Sequence, residues 1–228
     1  MTSAPKSKKA LSRRKVLNAA MKLASNEGLS GVSMRKVAKV LGVEPMSLYH
    51  HVKNKDDILN GMVDLILGKI SFVKESVNWR LSMKERGIST RRILQDHPWA
   101  LGVLESRPEP GPKTLEYHDS VLGVLLGAGF SMALAGHAFS SLDAYTYGFV
   151  MQEQSLPFDN EHELQQIAAS ILNSFPPGKY SNLKKFTIEH VLQPGYSYDR
   201  EFEVGLDLVL DSLERKFEEE SITKEENF

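Results

Sequence analysis

Apolar residues recur at intervals of three and four along most of this chain, and no stretch alternates in two-residue steps. The pattern therefore predicts helices and no strand. Val16, Ala19, Ala20, Leu23 and Ala24 make a first stripe, opening near Ser12 and stopping at Gly28. In residues 33–41 the apolar positions Val37, Ala38 and Leu41 share one face, while Arg35, Lys36 and Lys39 take the others. Ser33 is placed to cap that helix, Gly42 to end it, and Pro45 to open the next, where its missing N–H costs little. The second short helix buries Leu48 and Val52 and leaves Met46, Ser47, Tyr49 and His50 facing outward. After a cap at Asn54, a longer helix over residues 55–70 carries Ile58, Leu59, Met62, Leu65, Ile66 and Ile70.

The larger remainder is also helical. An amphipathic segment over residues 79–95, weakened in the middle by Gly87, is broken by Pro98. A short apolar segment at 99–106, a Pro-Gly-rich loop at 108–112 and a helix over 114–126 follow. Residues 130–154 are almost continuously apolar or small, which predicts a central helix whose Ala135, Gly136, Ala138, Ala144 and Gly148 permit close approach. Shorter helices are expected at 163–173 and 183–192. The last helix, 199–219, spaces Phe202, Leu206, Val209, Leu213 and Phe217 by fours and threes into a packing seam.

Helix, glycine turn and short exposed helix is the helix-turn-helix plan, in which the second helix enters the major groove. Charge supports this reading. The net charge of −1 hides a basic head, with Lys6, Lys8, Lys9, Arg13, Arg14, Lys15 and Lys22 ahead of the motif. The opposite end is acidic, with Glu214, Glu218, Glu219, Glu220, Glu225 and Glu226. Such an asymmetry sets positive potential where phosphates would lie and holds the acidic body away. Residues 1–10 are polar and are expected to form an arm that touches the DNA backbone.

The remaining composition mainly excludes. With no cysteine, disulfides, thiolate metal sites and cysteine nucleophiles are ruled out. The N-terminus lacks the apolar stretch of a secretory signal, and no apolar run reaches the roughly 18 residues of a membrane span. A cytoplasmic protein with no membrane partner is expected. No enzyme constellation emerges: Ser141 is one turn from His137, but Asp143 points elsewhere around the same helix, so no Ser-His-Asp relay can form there. His118 and Asp119 are adjacent and so lie on different faces. No metal or cofactor is expected.

The words LGV, LYHHV and KNK in residues 41–55 resemble those of the TetR (tetracycline-repressor) family of bacterial transcriptional regulators. Beyond the motif, His97, Arg107-Pro108 and Gly129-Phe130-Ser131 are similar to the C-terminal domain of the family's tetracycline-binding members. The resemblance implies an all-α homodimer with an N-terminal three-helix DNA-binding domain (1–55) and a larger effector-binding and dimerisation domain (56–228), the helix over 55–70 connecting them. It implies that Arg35 reads a guanine and that Pro45, Met46 and Ser47 meet bases. Tyr49 and His50 join the groove face, His51 packs or bonds at the phosphate rim, and Lys55 matches a phosphate-contacting lysine. The implied partner is double-stranded DNA, a palindromic operator.

It further implies that the central and last helices pair with those of a second copy, through Gly148, Phe202, Leu206, Val209 and Leu213. The effector pocket expected from the match comprises Trp79, Met83, Arg86, Thr90, Trp99, Val103, Leu104, Tyr145, Phe149 and Gln152. Two departures count against magnesium-tetracycline as the ligand. A metal-binding histidine of the tetracycline-binding members aligns with Val103, and a glutamate aligns with Gln152. The asparagine and phenylalanine that grip the drug align with Arg86 and Thr90. Arg86 either snorkels to solvent or faces the pocket, in which case an anionic or strongly polar-acceptor effector is expected. The alternative is an all-α ligand-binding protein or enzyme with a vestigial helix-turn-helix.

Overall fold

Side-chain oxygens open most of the helices where the sequence places them, satisfying N–H groups that would otherwise lack partners. The computed structural model describes residues 10–73, 78–104 and 110–226. Residues 1–9 of the polar arm and the Arg107-Pro108 pair lie outside them. The helices are α1 (Arg13–Glu27), α2 (Met34–Leu41), α3 (Pro45–Leu48), α4 (Lys55–Leu67), α5 (Trp79–Asp96) and α6 (Ala100–Leu104). They continue as α7 (Pro112–Gly127), α8 (Met132–Glu153), α9 (Glu161–Ser174), α10 (Ser181–Phe186) and α11 (Tyr198–Glu226). The fold is all-α, with no strand among the described residues. No helix among them is long and apolar enough to cross a membrane.

The helix expected over 183–192 differs in detail. It begins earlier, at Ser181, and loosens into a π-turn at Thr187–Val191. Thr187 Oγ1 donates to the Leu183 carbonyl at 2.9 Å, a side-chain bond that competes with the backbone ladder at that point.

Two compact units are present. The first comprises residues 1–71 and 92–123, and the second 72–91 and 124–228. Helix α4, helix α6 and the front of α7 lie in the same unit as the helix-turn-helix. In the first unit Val16, Val37, Leu48, Val52, Ile58, Met62 and Ile66 form a dry core beneath α1–α4. Arg13 of α1 fastens this core to α4, its guanidinium meeting Asp57 at 2.6 and 2.9 Å. Asp57 Oδ2 also accepts the Lys53 N–H at 2.8 Å, and the Asn54 side chain caps the same turn by accepting the Asp57 N–H.

The hydrogen bond to Arg13 holds the Asp57 carboxyl below its ordinary value of 3.8. A lowered folded-state value means the contribution is complete above the unfolded value and is lost as pH falls through the folded one. Asp57→Asn should therefore be less stable than wild type at neutral pH. The gap should close below about pH 4 in urea melts. A gap that persists unchanged at pH 2 would assign the loss to something other than this ion pair.

In the second unit α5, α8 and α11 pack closely. Gly87 is needed at the contact: a Cβ there would stand 2.8 Å from Leu206 Cδ2. Gly205 faces Tyr145 in the same way, since a Cβ there would stand 2.2 Å from the phenol oxygen. Trp79 meets Phe130 edge-on at 4.9 Å, and Phe130 stacks on Phe217 at 4.5 Å. Arg80 and Lys84 extend the contact with ion pairs to Asp211 (2.5 Å) and Asp207 (2.7 Å) on α11.

Candidate nucleic-acid interface

Helix α2 starts because Ser33 Oγ accepts the Lys36 N–H at 3.3 Å, and it ends at Gly42 in the left-handed conformation (φ 66, ψ 37). The Val43 N–H returns to the Ala38 carbonyl at 3.1 Å, closing the last turn and reversing the chain. Pro45 then opens α3, a single turn that continues through Tyr49 and His51 as hydrogen-bonded turns. Leu48 is fully buried beneath it and Val52 nearly so. With that face anchored, the rest of the turn is directed outward. Met46 is 73% exposed and Tyr49 49%, which leaves two neighbouring apolar side chains open to a partner.

The remaining DNA-contact candidates fall around them. Arg35, His50 and Lys55 are exposed, while Pro45, Ser47 and His51 are half-buried. The His51 carbonyl accepts from Arg13 Nη1 at 3.2 Å, so its backbone is held by α1. Lys36 is occupied: its ammonium lies 2.6 Å from Glu27 at the end of α1. The Arg13–Asp57 tie, 44 residues apart in sequence, was not among the residues the motif picks out. No local pattern reveals it, since it depends on how α1 crosses α4.

The residues expected around an effector divide between the units. Trp99, Val103 and Leu104 belong to the first, where Trp99 Nε1 donates to Ser25 Oγ at 3.4 Å. Trp99 and Val103 are buried there and Leu104 is half-buried. Trp79, Met83, Arg86 and Thr90 line one buried face of α5 in the second unit, as their spacing predicts. Tyr145 and Phe149 of α8 join Tyr198 and Phe202 of α11 in an aromatic cluster, with ring centroids 5.1–6.1 Å apart. Burial pushes the Tyr145 phenol up to about 12, so it stays protonated and donates to the Phe202 carbonyl at 2.9 Å. Arg91 lies against the Phe149 and Phe202 rings and bonds Glu153 and Asp199.

Three further candidates are placed as follows. Gln152 is exposed on α8. Arg86 points inward, at 2% exposure, but its guanidinium pairs with Asp143 and lies over the Phe139 ring. Its charge is met internally, which removes the reason to expect an anionic effector. Asp143, considered only as a member of a catalytic relay, is the residue that sequence reasoning missed.

The seam of α11 is the third. Phe202, Leu206 and Leu213 are buried within one protomer, Phe202 against Tyr145 and Phe149 of α8 and Leu206 against Gly87 of α5, so they leave little surface for a second copy. Val209 and Gly148 are half-buried. The outward apolar positions of α11 include Val204 (56% exposed), Leu208 (66%) and Ile222 (57%).

Comparison with known proteins agrees with the motif. A family model described as "Bacterial regulatory proteins, tetR family" matches residues 16–62, and one described as "Tetracyclin repressor-like, C-terminal domain" matches residues 74–217. An HTH-type transcriptional regulator of Saccharopolyspora erythraea is 35% identical over 149 residues, which is 65% of this chain and 63% of that protein. The chain therefore spans less than two thirds of that relative's length. The class C tetracycline repressor of Escherichia coli is 27% identical over 208 residues, covering 90% of this chain and 91% of its own. Among solved structures, apo ActR from Streptomyces coelicolor shares the fold, with a TM-score of 0.76 at 24% identity over 92% of this chain and 97% of that one.

Proposed function

Because the chain belongs to the TetR family of bacterial regulatory proteins, we propose that it is a homodimeric cytoplasmic transcriptional repressor. It binds a palindromic DNA operator and is released by a small-molecule effector other than magnesium-tetracycline. The observation that carries this reading is the outward set of Arg35, Met46, Tyr49 and His50 around the anchored Leu48. Arg35 bonds a base edge, with guanine O6 and N7 as the matching acceptors, and Met46 and Tyr49 cover thymine methyl or sugar. Pro45, Ser47 and His51 border the groove, and Lys55 at the start of α4 meets phosphate.

The dimer forms through the exposed faces of α8 and α11. Gly136 and Gly148 support this, since a Cβ at either would meet nothing within 4 Å in the protomer. Glycine inside a helix costs about 1 kcal/mol relative to alanine. Nothing in the protomer offsets that cost, whereas a second helix lying close would. The effector binds in the second unit beside Trp79, Met83, Thr90, Tyr145 and Phe149. It acts only by binding the two DNA-affinity states unequally.

Selection of duplexes from a random library, followed by gel shift at physiological salt, tests the reading. A palindrome with half-site centres roughly 34–36 Å apart, or a multiple of this, is expected. Arg35→Ala should cost about 1–3 kcal/mol and relax preference at one position per half-site. Equal affinity for every duplex would dismiss the regulator reading.

A further inference from the structure

Helix α4 is tied at both ends by carboxylates on one face. Asp57 holds Arg13 of α1 at the front. Seven residues on, two turns along and about 10 Å away, Asp64 Oδ1 accepts the Thr114 N–H at 2.9 Å and the Thr114 hydroxyl at 3.2 Å. Thr114 is the third residue of α7, so its N–H is one of the four at that helix start without an intrahelical acceptor. Asp64 does from a neighbouring helix what a capping residue does from the preceding loop, and its negative charge suits the positive end of α7. The approach requires glycine at 111, where a Cβ would stand 2.4 Å from Asp64 Oδ1. Thr114 is 8% exposed, so its donors have little access to water as a substitute.

We infer that Asp64 is a positioning residue that couples α7 to the DNA-binding head. One helix carries both carboxylates, so a shift of the first turn of α7 relative to α1 cannot be absorbed within α4. It is passed through Asp57 and Arg13 to α1, and from α1 to the α2–α3 pair packed beneath it. The inference rests on the regulatory reading above, in which the state of the large domain and DNA affinity are linked. Linkage is reciprocal, so DNA must act on α7 as much as α7 acts on DNA affinity.

That reciprocity permits a test with DNA alone. Amide hydrogen exchange would be followed in the full chain, with and without the tightest duplex from the random selection. Wild type, Asp64→Ala, Asp64→Asn and Gly111→Ala would be compared. In wild type the duplex should change exchange along α7, at residues 112–118 and also at 119–126, by about fivefold or more. Asp64→Ala should bind the duplex and lose the response along the whole helix. Asp64→Asn should keep it, because its Oδ1 still accepts both bonds. Gly111→Ala, which pushes the loop off the carboxylate, should reproduce the loss and decides the matter if Asp64→Ala does not fold.

A loss confined to 112–118 in Asp64→Ala, with 119–126 still responding, would make Asp64 a cap and nothing more, overturning the inference. A wild-type response that survives in both Asp64→Ala and Gly111→Ala would overturn it as well. If α7 of wild type does not respond to bound DNA at all, the linkage assumed by the regulatory reading is itself at fault.

Discussion

Asp143→Ala should destabilise the protein by about 3–5 kcal/mol, the cost of removing one partner from a buried ion pair. Arg86 is 2% exposed and the Asp143 side chain 16%, so neither charge is screened by water as a surface pair would be. The thermal midpoint should fall by roughly 10 °C at fixed protein concentration. Asp143→Asn, which retains an acceptor but no charge, should fall between the two. The decisive variant is the double replacement Arg86→Met with Asp143→Leu. Removing both charges together leaves no uncompensated ion, so most of the lost stability should return. Calorimetry on wild type, Arg86→Met, Asp143→Leu and the double variant closes the cycle. Additive losses in the double variant would show that Arg86 and Asp143 stabilise the unit separately and not as a pair.

Two leucines of α11 two residues apart should respond in opposite ways to the same substitution. Leu208 is 66% exposed and belongs to the proposed dimer face, whereas Leu206 is fully buried against Gly87. Leu208→Asp should leave each protomer folded but bury an unpaired carboxylate in both halves of a symmetric interface. At several kcal/mol per charge, dissociation should rise by about three orders of magnitude or more. Leu206→Asp puts the same charge into the protomer's own core and should unfold it. Sedimentation velocity paired with far-UV circular dichroism separates the two outcomes. A folded, still dimeric Leu208→Asp protein would place the interface elsewhere, and a folded Leu206→Asp protein would contradict the packing of α5 on α11.

Local rules made the head of this protein readable. Ser33, Gly42, Pro45 and Asn54 act on their own backbone within three or four residues, so a cap or a left-handed turn follows from residue type and position alone. The buried Leu48 and the exposed Met46 and Tyr49 follow from the period of a helix with one anchored face. In α5 the same period correctly aligned Trp79, Met83, Arg86 and Thr90 on one buried stripe.

Partner choice was not readable. A stripe such as Phe202–Leu206–Leu213 says that a helix has something to bury against, and says nothing about whether that surface belongs to the same chain or a second copy. Gly87 settled the matter by letting α5 close on Leu206, a contact across 119 residues that no periodicity encodes. Arg86 shows the same division. Its inward direction follows from spacing, but the sign and position of the charge that makes burial tolerable depend on Asp143 arriving from another helix. Asp57 with Arg13, and Asp64 with Thr114, are pairs of this kind. Residue type and helical period determine which side chains share a face, because those interactions act within one or two turns. Which face meets which is settled by the packing of whole helices, where a carboxylate or a missing Cβ acquires its role from a neighbour far away in sequence.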